Sequence, residues 1–124
     1  MVLGIGIDVE QIPRIKKAME NPRFLDKCYT KSEQEYIALR ANAAQSAAGM
    51  FCAKEAFIKA VGTGMGAFSL CDVEVAHAEN GKPYIRLAGG AKDLVGGGRV
   101  LVSIAHTGDL ATAYVLIESG GMER

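Results

Sequence analysis

AAQSAAGMFCAKEAFIKAV, residues 43–61, is rich in alanine and sets Met50, Phe51, Phe57, Ile58 and Val61 at helical spacing. Gly62 follows as a C-terminal stop. The segment predicts a long central helix. Its faces are apolar around most of the circumference, so the rest of the chain is expected to pack over it.

On the N-terminal side, Val2 to Asp8 alternates Gly4 and Gly6 with Val2, Ile5 and Ile7, which reads as a short buried strand ending in an acid. Pro13 suits the first turn of a helix over Arg14 to Met19, and Asn21-Pro22 interrupts it. Thr30, followed three residues later by Glu33, has the spacing of a capping box and opens an amphipathic helix through about Arg40. On the C-terminal side, Gly62-Thr63-Gly64-Met65-Gly66 reads as a loop and Asp72 to His77 as a strand. Asn80-Gly81 is the strongest hairpin signal in the chain and leads into a strand around Tyr84 to Leu87. Ala88 to Val95 reads as a weak helix stopped by Gly96-Gly97-Gly98. Two strands, Arg99 to Ala105 and Leu110 to Glu118, close the chain around a turn at His106 to Asp109. The expected fold class is α+β, an antiparallel sheet of short strands packed on a long central helix. With 124 residues there is room for a single domain over 1–124 and not for a second.

A composition of 49% hydrophobic and 23% charged residues excludes a disordered chain. No run approaches the ~20 apolar residues of a membrane helix, and the start has neither a basic region nor a signal-length apolar core. A cytoplasmic protein without a membrane partner is expected. Cys28, Cys52 and Cys71 are odd in number and widely spaced, against a disulfide framework or a paired-cysteine zinc site. A formal net charge of zero leaves no footprint for nucleic acid. Charge placement says more: Arg14, Lys16, Lys17, Arg23, Lys27 and Lys31 crowd one stretch against only Glu20 and Asp26. That fits an acidic partner, and equally a solvated helix face.

Three segments could carry chemistry. Asp8 and Glu10 share a face if the first strand runs that far. Two adjacent carboxylates call for a cation between them, and hard oxygen ligands suit Mg²⁺, although a solvated strand end has the same letters. Glu55 and Lys59 lie four apart on the central helix, as either a surface ion pair or, with Lys54, a charged strip lining a cleft. Val102 to Thr107 ends a strand in Ser103, His106 and Thr107, whose imidazole and hydroxyls can donate to phosphate or serve a turn. His77, on an ordinary strand, has no partner in sight. There is no Gly-x-Ser-x-Gly elbow, no Walker loop and no dinucleotide fingerprint. Carboxylates, a lysine and a histidine without a nucleophile point to metal-assisted phosphoryl chemistry, where positioning and charge neutralisation carry the catalysis.

Gly4-Ile5-Gly6-Ile7-Asp8-Val9-Glu10, Phe51 to Ala60, Asn80-Gly81-Lys82-Pro83-Tyr84 and Val102 to Thr107, in that order, resemble the holo-acyl-carrier-protein synthases, a short type of 4'-phosphopantetheinyl transferase. The resemblance spans Met1 to Glu118. It implies transfer of the 4'-phosphopantetheine of coenzyme A to a serine of apo acyl carrier protein, releasing adenosine 3',5'-bisphosphate, for fatty-acid biosynthesis. It implies Mg²⁺ on Asp8 and Glu55, with Glu10 as a further acid used by larger relatives. Lys59 matches the lysine that approaches the phosphates, and His106 with Thr107 the strand end that meets the 3'-phosphate. Glu55, directly or through a water, is the implied base. The family also implies a homotrimer with sites between subunits, His106 of one facing Asp8 and Glu55 of its neighbour. Arg14 and Lys17, one turn apart, are the expected contacts to the acidic helix of the carrier. One departure stands out: Met50 occupies the place where relatives often carry arginine, so that basic contact is missing or comes from elsewhere, with Arg40 as the candidate.

Overall fold

The computed structural model describes residues 1–62 and 66–120. It runs β1 (Val2–Gln11), α1 (Ile12–Ala18), α2 (Pro22–Cys28), α3 (Lys31–Ala38), α4 (Ala43–Val61), a 3₁₀ turn (Leu70–Asp72), β2 (Val73–His77), β3 (Pro83–Leu87), α5 (Gly89–Val95), β4 (Arg99–Thr107) and β5 (Leu110–Glu118). Residues 63–65 of the expected glycine loop lie outside the described residues. The strands form two antiparallel sheets, β1-β5-β4 and the hairpin β2-β3. The fold class is the expected α+β one.

Helix α4 begins at the Asn42 cap, whose side chain accepts from the Gln45 N–H at 3.1 Å. It ends at Gly62, whose φ of 76° is a left-handed conformation favouring glycine. The capping box at Thr30 and Glu33 is formed in full at the start of α3. Asn21-Pro22 does more than break α1: the Asn21 side chain accepts from the Arg23 N–H and, with Pro22 in the first turn, starts α2.

The first strand corrects two expectations. It is ten residues long and continues through Gln11. Its glycines, not its isoleucines, face α4: a Cβ on Gly6 would run into the Ala56 carbonyl oxygen, and one on Gly4 into that of Ala60. Ile5, Ile7 and Val9 point to the opposite, open face of the sheet.

The core lies between α4 and the glycine side of β1-β5-β4, where Ala53, Ala56, Phe57, Ala113 and Val115 are buried. Helix α4 is fixed on its other side by a buried ion pair. The ammonium of Lys54 donates to Glu33 Oε1 at 2.8 Å and to the carbonyls of Leu70 at 3.0 Å and Val73 at 2.7 Å. Both side chains are fully buried. Glu33 also accepts from the Thr30 N–H at 2.8 Å and the Val75 N–H at 2.7 Å. One node thus joins α3, α4, the 3₁₀ turn and β2, and every polar side-chain atom on it has a partner.

Candidate functional site

The close crossing of β1 over α4, which only glycine allows at positions 4 and 6, brings the end of α4 against Asp8. The Lys59 ammonium donates to Asp8 Oδ1 at 3.1 Å and to the Ile7 carbonyl at 3.1 Å. From the next strand, the Thr112 hydroxyl donates to the Asp8 carbonyl at 2.8 Å. Asp8 is only 8% exposed, and its Oδ2 is buried without a hydrogen-bond partner among the described residues. A buried carboxylate oxygen left unsatisfied is costly and calls for an explanation.

Glu10 and Glu55 complete the cluster. Burial, and then the Asp8 charge, hold the Glu10 carboxyl above the usual carboxylate range, against the opposing pull of Arg14, whose guanidinium lies 3.8 Å away. Burial and Asp8 push Glu55 up in the same way, with Lys59 pulling it back. Lys59 takes Asp8 as its hydrogen-bonded partner in place of Glu55, the residue one turn before it. Burial, and next Asp8, also push the thiol of Cys52 up to about 12, so it stays protonated and is no nucleophile.

Three acids therefore crowd one place with fewer cations than charges. Among the described residues no three His, Cys, Asp or Glu side chains converge tightly enough to form a finished metal cage. The donor set nonetheless fits a hard divalent cation: oxygen ligands only, and an Asp8 Oδ2 that lacks a partner among the described residues. Freeing Asp8 Oδ1 from Lys59 would complete the room for one.

His106 and Thr107 are brought to a different place. They lie within β4 and not in a turn, with His106 paired to Ala111, itself paired to Glu10. The imidazole is thus two strands from the acids, roughly 10 Å in the plane of the sheet. It lines a cavity of about 280 Å³ with Tyr36, Gln45, Met50, His77 and Pro83. Arg14 and Lys17 lie on α1, both exposed. Lys54 leaves the expected charged strip and turns into the core. Consecutive helix positions differ by about 100° in direction, so Lys54 and Glu55 cannot line one cleft.

Residues 4–115 match the model of the 4'-phosphopantetheinyl transferase superfamily. The chain is 41% identical over 122 residues to a holo-[acyl-carrier-protein] synthase of Clostridium novyi, covering 95% of this chain and 88% of that protein. It is 41% identical over 125 residues to one of Halothermothrix orenii, covering 97% and 100%. Among solved structures, it superposes on a holo-(acyl-carrier-protein) synthase of Bacillus anthracis in complex with CoA (3',5'-ADP) with a TM-score of 0.84 and 35% identity, covering 97% of this chain and 99% of that one. The synthase of Neisseria meningitidis gives a TM-score of 0.87 and 30% identity, covering 96% and 100%.

Proposed function

The chain belongs to the 4'-phosphopantetheinyl transferase superfamily, and we propose that it works there as a holo-acyl-carrier-protein synthase. Acting as a single domain over residues 1–124, it moves the 4'-phosphopantetheine of coenzyme A onto a serine of apo acyl carrier protein in the cytoplasm, for fatty-acid biosynthesis. The observation that carries this reading is the acid cluster around the unpartnered Oδ2 of Asp8, in a chain aligned over nearly its whole length with synthases of that name.

Asp8 and Glu55 would hold Mg²⁺, with Glu10 beside them. When bound, the ion neutralises charge on the pyrophosphate of coenzyme A. Lys59, more than half exposed and hydrogen-bonded to Asp8 and a carbonyl, is released from Asp8 to the phosphate oxygens and stabilises the leaving adenosine 3',5'-bisphosphate. Glu55 takes the proton of the carrier serine, directly or through a water. Its raised pKa makes it a stronger base than an ordinary carboxylate. The serine oxygen attacks the β-phosphorus, and the bond from that phosphorus to the bridging oxygen of the pyrophosphate breaks. The nucleotide leaves with its 5'-phosphate, and His106 and Thr107 hold its 3'-phosphate. In a direct test, adenosine 3',5'-bisphosphate should be released only when apo carrier is present. Release at the same rate without carrier would mean hydrolysis of coenzyme A and defeat the reading.

The open face of β1-β5-β4 supports assembly. Ile5, Ile7, Val9, Leu101 and Tyr114 are each 44–61% exposed on it, an apolar patch that monomers rarely leave uncovered. Copies of the chain cover it in a homotrimer, with His106 of one subunit facing Asp8 and Glu55 of its neighbour. Leu101→Glu, on that face in β4 and outside the acid cluster, is expected to give monomers by light scattering and to abolish transfer at low protein concentration. An active monomer would show that one chain holds a whole site.

The carrier docks on α1. Arg14→Glu with Lys17→Glu should raise the carrier KM about ten-fold or more while leaving the KM for coenzyme A nearly unchanged. Equal effects on both substrates would rule out a docking role.

A further inference from the structure

The ion pair between Lys59 and Asp8 joins a movable arm to a fixed acid. Asp8 cannot withdraw: it is paired to Ala113 of β5, its carbonyl accepts from the Thr112 hydroxyl at 2.8 Å, and two residues earlier Gly6 lies where a Cβ would run into the Ala56 carbonyl oxygen. Lys59 can. Its side chain is 56% exposed against 10% for that of Asp8, and its ammonium stands at the end of a flexible four-carbon stem. Both hydrogen bonds that hold it, to Asp8 Oδ1 and to the Ile7 carbonyl, go to β1, and none goes to Glu55 one turn before it.

The surroundings of the pair say what its opening does. Asp8 Oδ2, on the same carboxylate, is buried with no hydrogen-bond partner among the described residues. The Asp8 charge also helps to hold the carboxyls of Glu10 and Glu55 above their usual range, second only to burial. Arg14 touches this cluster at its rim, 3.8 Å from Glu10 and 77% exposed. Lys59 is therefore the counter-charge of Asp8 in the free protein. A hard divalent cation on Asp8 draws on the same negative charge as the ammonium and on the oxygen it already holds. A pyrophosphate arriving from solvent draws on the ammonium instead, and the lysine is the partner exposed enough to answer it.

We propose that Lys59 is a latch: on Asp8 it holds down the affinity of the acid cluster for a divalent cation, and the pyrophosphate of coenzyme A, by taking the ammonium, opens the cluster to that cation. Cation and coenzyme A then tighten one another by the same factor, as linkage requires. The proposal rests on Asp8 and Glu55 as the cation's ligands and on coenzyme A as the substrate, and adds to that reading how the site is regulated.

Mn²⁺, a hard cation suited to carboxylates whose free concentration is read by electron paramagnetic resonance, tests this in the full-length protein. Without coenzyme A, Lys59→Met should bind Mn²⁺ roughly ten-fold more tightly than the wild-type protein, within the usual range of coupling between sites. With coenzyme A at saturation for each protein the two should bind it about equally, because the wild-type lysine has left Asp8 for the phosphates. Lys59→Gln, which removes the charge and keeps a donor for the Ile7 carbonyl, should behave as Lys59→Met does. In thermal unfolding without metal, both variants should melt below the wild-type protein, and Mn²⁺ should raise their Tm by more than it raises that of the wild type. The proposal is overturned if the variants bind Mn²⁺ no more tightly than the wild type without coenzyme A. It is equally overturned if their advantage persists undiminished with coenzyme A, the mark of simple repulsion by a nearby charge. Either failure with Mn²⁺ binding that is lost in Asp8→Asn sinks this inference alone, whereas Mn²⁺ binding that survives Asp8→Asn with coenzyme A present sinks the metal assignment beneath it as well.

Discussion

Glu55→Gln is expected to lower the rate of phosphopantetheine transfer by on the order of a thousand-fold, the scale of losing a general base, and at the same time to raise the thermal stability of the metal-free protein. The two effects have one cause. Burial and the neighbouring Asp8 hold the folded-state pKa of Glu55 above its ordinary value. A carboxyl raised in this way contributes stability that is fully present below its unfolded pKa and lost as pH rises through its folded pKa. At neutral pH the ionised Glu55 therefore strains the fold, and the neutral amide relieves that strain. The gain in Tm should be present at neutral pH and vanish below the carboxylate range. Mg²⁺ should raise the Tm of the wild-type protein and do less for the variant. A Glu55→Gln variant that transfers normally, or one less stable at neutral pH, would show that Glu55 is not held under charge for catalysis.

Lys54→Met is expected to be the most damaging single change to stability, about 3–5 kcal/mol by urea unfolding, because it leaves the fully buried Glu33 without its cation. Glu33 would keep its two backbone donors, from Thr30 and Val75, but would carry an uncompensated charge. Lys54→Met combined with Glu33→Gln should recover part of the loss, since removing both charges costs less than stranding one. A single-variant loss within the ~1 kcal/mol typical of a surface pair would mean the node is wetter than its zero exposure implies. Function follows through geometry. The residue after Lys54 is Glu55, so the node that fixes the rotation of α4 also sets where the carboxylate proposed as the base stands relative to Asp8.

How far these features could be read from the chain differs by residue. Helix α4 and its Gly62 stop, the capping box at Thr30 and Glu33, and the Asn80-Gly81 hairpin were all legible, because each is a local rule written in adjacent letters. The burial of β1 was not. Its isoleucines look like core, yet they cover an outward face, and the glycines that look like filler allow the approach of α4. A pattern of period two says that the faces differ, not which one turns inward. Helix α2 was hidden because Asn21-Pro22 is both a helix breaker and a helix starter.

At the site, the family motifs named Asp8, Glu10, Glu55 and Lys59, and the structure brings these four together. His106 sits in a separate cavity of the same chain. The role of Lys54 was invisible beside Glu55, since a charged residue among alanines reads as cleft or surface until its acceptors are seen. Tyr36 and His77 are far apart in sequence, and no spacing rule connects an α3 residue to the end of β2.

The most direct test of the whole account is the intact mass of apo acyl carrier protein after incubation with this protein, coenzyme A and Mg²⁺. A gain of one phosphopantetheine group, absent with a chelator and absent with Glu55→Gln, is the predicted result. An unchanged mass, with more than one apo carrier tried, would contradict it.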